Sequence, residues 1–244
     1  MTEWLAAVGL SVAGSVGGLL LAWFLFASGR PGPPVVAGLV SYAVGTLLGA
    51  ALLNLAPEAL ASIEPGRALG TLLGGILTFF LLEKFVLWRH SHEDHHESHL
   101  HPATATLVIV GDALHTFTDG VVIAAATLVS LPFGATTALA VIAHEIPQEA
   151  GDFAILLAAG HSRRRALLLN LTSALGGAAG ALAMLLLGSS VPGVVPHVLA
   201  FAAGNFLYVA MADLIPALNR GRLDQSTLRQ FVLIALGIIT IVVL

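Results

Sequence analysis

GDALHTFTDGVVIAAATLVSLPFGATTALAVIAHEIPQEAGDFAILL, residues 111–157, reads as two apolar helices, each broken by a polar string. HTFTDG occupies 115–120 and HEIPQEAGD occupies 144–152. They set His115, Asp119, His144, Glu145, Glu149 and Asp152, with Asp112 just upstream, in segments otherwise suited to crossing lipid. An ionised side chain at the bilayer midplane costs roughly 2.5 to 3.5 kcal/mol on insertion scales. Several such groups on neighbouring helices need compensation, and a bound cation is the simplest source of it.

The rest of the chain supports the membrane premise. Hydrophobic residues make up 57% of the 244 residues, charged residues only 10%, and mean hydropathy is +0.93. A soluble globule of this size would lack polar material to cover itself. The net charge of −4 gives no sign of a nucleic-acid partner; the partner implied is the lipid bilayer. With no cysteine, disulfides and thiolate metal sites are excluded, so a metal would be held by His, carboxylate, amide or hydroxyl groups.

Apolar runs between Gly, Pro and charged residues predict eight spans, at 4–27, 35–60, 68–88, 104–130, 135–159, 165–188, 195–218 and 227–244. The first, preceded by Glu3, reads as a retained span and not as a cleaved signal peptide. Arg30, Lys84, Arg89, Arg163, Arg164, Arg165, Arg220, Arg222 and Arg229 all fall on alternate connections, and only Arg67 lies opposite. That segregation supports the eight-span count and puts both termini outside the cytoplasm. The expected fold class is therefore all-α, a polytopic membrane bundle forming one transmembrane domain over 1–244, with a His-rich cytoplasmic loop at about 90–102.

NLAPEAL at 54–60 is echoed by DLIPAL at 213–218, each ending a span with proline. An inverted repeat relating spans 1–3 to spans 6–8 would account for the echo. Gly45 with Gly49, Gly70 with Gly74, and Gly176 with Gly180 have the spacing of close helix contacts. The ordinary use of such faces is packing within one bundle; a homodimer is the other use they allow.

Helical spacing gathers the polar groups. Asp112, His115, Thr116 and Asp119 fall at i, i+3, i+4 and i+7 on one stripe; His144, Glu145, Gln148, Glu149 and Asp152 form a wider stripe on the next span. His115 with Asp119, and His144 with Gln148, are each one turn apart. Two ligands from each helix would complete a tetrahedral zinc shell. Pro147 cannot donate to the carbonyl of Ala143 and should bend the fifth span beside these groups.

These motifs resemble the ZIP family of divalent metal transporters. The similarity is greatest to the subfamily whose fifth span reads His-Glu-x-Pro-His-Glu-x-Gly-Asp and whose fourth reads His-Asn-Phe-x-Asp-Gly. It extends to LLEKFVLWRH at 81–90, before the His-rich loop, and to AGNFLYVAMADLIP at 203–216. The resemblance implies transport of a divalent cation, zinc foremost with Cd, Fe or Mn as alternatives, toward the cytoplasm. The ion would be a bound substrate and not a catalytic cofactor. His115, Asp119, His144 and Gln148 would form a first metal site. Thr116, Asp119, Glu145 and Gln148 would line a second, with Glu149 and Asp152 continuing toward the cytoplasmic exit.

The chain departs from that pattern at Thr116, where Asn is usual, at Gln148, where His or Glu is usual, and at Ala50 and Asn54, where Asp and His are usual. A weaker second site and an altered metal preference are the expected consequences. His90, His92, His95, His96, His99 and His101, with Glu93, Asp94 and Glu97, suit a loop that binds metal transiently. The expected location is the plasma (inner) membrane of a prokaryote.

Two other classes compete. His-Glu at 144–145 begins the zinc-protease pattern His-Glu-x-x-His, but position 148 is Gln and Pro147 interrupts the helix, so no enzyme is expected. A non-transporting membrane protein, with a polar centre that binds metal or only ties helices together, is the other alternative.

Overall fold

A computed structural model describes residues 2–27, 32–93, 102–218 and 225–244, and within them the chain is entirely helical apart from short connections. In chain order the elements are α1 (Thr2–Ala27), α2 (Pro33–Gly49), a π-helical segment (Ala50–Leu55), α3 (Ala56–Ser62), α4 (Pro65–Glu93), α5 (Pro102–Val129), α6 (Leu131–Ala158), α7 (Arg163–Ser190), α8 (Val194–Tyr208), a second π-helical segment (Val209–Leu214), α9 (Ile215–Leu218) and α10 (Gln225–Val243). His95, His96, His99 and His101 of the His-rich loop lie outside the described residues.

Among the described residues, seven helical stretches are long and apolar enough to cross a membrane. The remaining expected span, the fifth, is α6, whose 28 residues have the length. Its His144, Glu145, Gln148, Glu149 and Asp152 interrupt the apolar run that would otherwise mark it as a span.

Several helices start a little before the expected boundary, because the first turn is set by capping and not by hydropathy. Proline stands at the start of α2, α4 and α5 and at the second position of α6, where its missing N–H costs no helical bond. Glu64 caps α4: its two carboxylate oxygens accept from Gly66 N and Arg67 N, both at 2.9 Å. Those two N–H groups hold the exposed Glu64 carboxyl below its ordinary pKa.

Pro147 does not break α6, which continues to Ala158. Pro57 and Pro216, in contrast, each follow a π-helical segment. Ala56 N bonds Ala51 O, and Ile215 N bonds Ala210 O, both wider by one residue than an α-turn. A proline ring crowds the carbonyl four residues back and leaves it unpaired. The π turn absorbs that misfit at corresponding places in the two halves. The NLAPEAL and DLIPAL echo therefore marks a shared backbone distortion.

Packing has the same duplication. α1, α5, α6 and α7 cluster together, with α5 against α7 and α1 against α6 as the main pairs; outside that cluster, α2 packs on α10 and α4 on α8. Exchanging spans 1, 2, 3 and 4 for 6, 7, 8 and 5 maps α1–α6 onto α7–α5, and α2–α10 onto α8–α4. This is the pairing an inverted repeat requires.

Glycine permits the closest approaches. A methyl group at Gly120 would meet the carbonyl of Gly177, and one at Gly180 would meet the carbonyl of Phe117, so α5 and α7 touch backbone to backbone. Gly45 and Gly49 pack in the same way on α10, whereas Gly70 and Gly74 face open space. Two of the three small-residue faces are thus used inside the bundle.

Candidate metal centre

α5 and α6 form a hairpin whose turn is one residue. The N–H of Ser130 bonds the carbonyl of Ala126 at the end of α5, while its hydroxyl accepts from Phe133 N at the start of α6. Gly134 lets the two arms close against Thr127. Residues nearly equidistant from Ser130 therefore face each other, which brings His115 opposite His144 and Asp112 opposite Gln148.

One ligand atom from each of His115, Asp119, His144 and Glu145 falls within 4.8 Å of all the others. His144 Nε2 is 3.2 Å from His115 Nε2 and 3.2 Å from Asp119 Oδ2. His115 Nε2 is 3.6 Å from Asp119 Oδ2 and 3.7 Å from Glu145 Oε1. Four atoms held 2.0–2.2 Å from a zinc ion at tetrahedral angles lie about 3.3 to 3.6 Å apart. The observed spacings bracket that range.

The tautomer of His144 suits metal binding. Its Nδ1 lies 3.1 Å from the carbonyl of Ala140, which can only accept, so Nδ1 carries the proton and the Nε2 lone pair is directed at the cluster. A backbone carbonyl behind the ligating ring is the usual support of a metal-bound histidine. Phe206 packs edge-on to the same ring at 5.8 Å and fixes its plane.

The carboxylates have no other function in sight. Asp119 and Glu145 are fully buried, and their oxygens face the ring nitrogens of His115 and His144 in the same cluster. A buried carboxylate without a full counter-charge is among the costliest arrangements a protein can hold. A divalent cation would offset that cost, and the mixed imidazole and carboxylate donors fit zinc and its neighbours.

The remaining expected residues are placed as follows. Thr116 is buried, and its hydroxyl lies 2.9 Å from the carbonyl of Ser173 on α7, with the carbonyls of Asp112 and Ala113 also in reach. It therefore joins α5 to α7. Gln148 stands beside Asp112 and, with His115, lines a cavity of about 310 Å³. Glu149 is fully buried and meets Asp112 and Glu145 to form a second carboxylate group. Asp152 is half-buried, two turns beyond Glu145.

The cavity extends from His115 between Phe79 and Leu82 of α4 and Tyr208, Val209 and Asp213 of the seventh span. In the other direction the centre is closed by Ile123, Ala126, Ala140 and Val141, all fully buried.

The sequence put Asp112 on the stripe without giving it a ligand role, and it predicted the span of α7 without giving it a part in the site. Ser173 bonds Asp112 through its hydroxyl, and Asn170 lies beside Glu149. The available signal was the polar Asn and Ser in NLTSALGG at 170–177, a span otherwise apolar.

A model described as ZIP Zinc transporter matches residues 1–106 and 89–244. The zinc transporter ZIP13 of Pongo abelii is 38% identical over 220 residues, covering 84% of this chain and 65% of that protein. ZIP4 of Mus musculus is 47% identical over 133 residues, 54% of this chain and 20% of that one. ZIP10 of Homo sapiens is 36% identical over 177 residues, 64% and 21% respectively. The chain thus spans about two thirds of the ZIP13 relative and about a fifth of the other two.

Proposed function

Because this chain belongs to the ZIP zinc transporter family, we propose that it moves divalent cations, zinc foremost, through the centre between α5 and α6. It is an integral, multi-pass membrane protein and not an enzyme: Gln148 stands where a zinc protease needs its second histidine. The observation that carries the proposal is the set of ligand spacings around His144 Nε2, which leaves room for one tetrahedral ion.

The mechanism follows from the geometry. A hydrated cation arriving from outside exchanges water for His115, Asp119, His144 and Glu145. It leaves along the cavity past Leu82 and Asp213. The segregation of Lys and Arg supports a cytoplasmic position for that cavity, since α4 and the seventh span both end on the Arg-rich side. The His-rich loop between α4 and α5 would receive the ion, and the membrane would be the plasma membrane of a prokaryote.

Uptake of zinc into proteoliposomes tests the assignment, with Cd, Fe and Mn as competitors. Zinc-dependent flux that disappears in His144→Ala, with the protein still folded, supports it. Metal binding without flux in the wild type would make the chain a binding protein instead.

A further inference from the structure

We propose that the chain holds a second, oxygen-only cation site, built by Asp112, Glu145, Glu149 and Asn170 where α5, α6 and α7 meet. It is suited to harder divalent cations such as Mn²⁺. The site goes beyond the transport reading, and it differs from the second set implied by the family resemblance. Thr116, a member of that set, has its hydroxyl against the carbonyl of Ser173 on α7.

One carboxylate oxygen from each of Asp112, Glu145 and Glu149 lies within 4.8 Å of the other two. Asp112 is 3% exposed, and Glu145 and Glu149 are fully buried. Asp112 Oδ1 and both oxygens of Glu145 and Glu149 have no hydrogen-bond partner. Among the described residues no lysine or arginine forms an ion pair with them.

The second observation comes from α7. Asn170 is fully buried with its side-chain amide next to the Glu149 carboxylate, and its Oδ1 has no hydrogen-bond partner. Its oxygen is a neutral donor at the edge of the carboxylate group. Ser173 fixes the geometry: its hydroxyl lies between Asp112 Oδ2 and the carbonyl of Asn170, which leaves Asp112 Oδ1 free for the site.

The chemistry separates the two sites. The imidazoles of His115 and His144 favour zinc at the first, whereas carboxylate and amide oxygens alone favour Mg, Ca or Mn. Glu145 belongs to both groups and can bridge two ions or hand one across.

Mn²⁺ binding to the purified full chain in lipid nanodiscs tests the site, read by loss of the free Mn²⁺ electron paramagnetic resonance signal. Zinc stoichiometry from equilibrium dialysis is measured alongside. Glu149→Gln and Asn170→Leu should each weaken Mn²⁺ binding by about tenfold or more, and Asn170→Asp should strengthen it. His144→Ala should remove one zinc while Mn²⁺ still binds. Wild-type protein that takes up no Mn²⁺ overturns the proposal, as does Mn²⁺ binding unchanged in Glu149→Gln. If Glu149→Gln does not fold, Asn170→Asp decides, and unaltered Mn²⁺ affinity there rejects the site. Absent zinc flux in a wild type that binds Mn²⁺ would sink the transport reading and leave this site standing.

Discussion

His115 Nε2 and His144 Nε2 lie 3.2 Å apart across the α5–α6 hairpin, with Asp119 Oδ2 equally close to His144. Two ring nitrogens can approach this closely only with a proton or a cation between them. The hairpin turn at Ser130 enforces the approach, so the pair is held ready by backbone geometry. Removing either ring should therefore lower zinc affinity and uptake together. The expectation is a loss of about tenfold or more in His115→Ala and in His144→Ala, measured as zinc uptake into proteoliposomes. Unchanged uptake in both variants would reject the centre.

α1 bears directly on the centre through Gly18. A methyl group there would collide with the Cβ of Glu145. Gly18→Ala should push α1 and α6 apart and cost about 1–3 kcal/mol as overpacking, with weaker zinc binding as the companion effect. Gly9, one face of which is open, is the control. Thermal unfolding and zinc titration of the two variants should separate cleanly, and equal behaviour would show that Gly18 does not position Glu145.

Thr116 provides a test of what holds α5 to α7. Thr116→Val deletes the bond to the carbonyl of Ser173 and keeps the volume. The expected result is a stability loss of about 0.5–1.5 kcal/mol and little change in zinc affinity. A large fall in zinc affinity with unaltered stability would instead make Thr116 a ligand, as the family pattern implies.

The absence of cysteine makes the chain a ready background for single-cysteine labelling. Leu114 lines the cavity and Ile123 is fully buried on the closed side. Leu114→Cys should react with a membrane-impermeant thiol reagent applied from the cytoplasmic face, and zinc should slow the reaction. Ile123→Cys should stay protected from either face. Labelling of Leu114→Cys only from outside would reverse the assigned orientation.

Much of this molecule is local in origin. A run of apolar residues long enough to cross lipid is legible one segment at a time, and the i, i+3, i+4 spacing of Asp112, His115, Thr116 and Asp119 puts them on one stripe whatever surrounds the helix. The long apolar spans and the two polar stripes were readable for that reason. Even the echo between NLAPEAL and DLIPAL was visible, since a proline acts on its own preceding turn.

Tertiary structure decided everything that depends on which helix lies next to which. Thr116 and Glu149 sit on the same kinds of stripe and look equally apt as ligands. Thr116 meets the carbonyl of Ser173 on α7, whereas Glu149 meets the carboxylates of Asp112 and Glu145. Likewise nothing around position 170 announces that α7 completes a polar group begun on α5 and α6. Hydropathy and helical period are properties of a single segment. The register of glycine-mediated contacts such as Gly120 on Gly177, which sets α7 against α5, arises only when three helices pack at once.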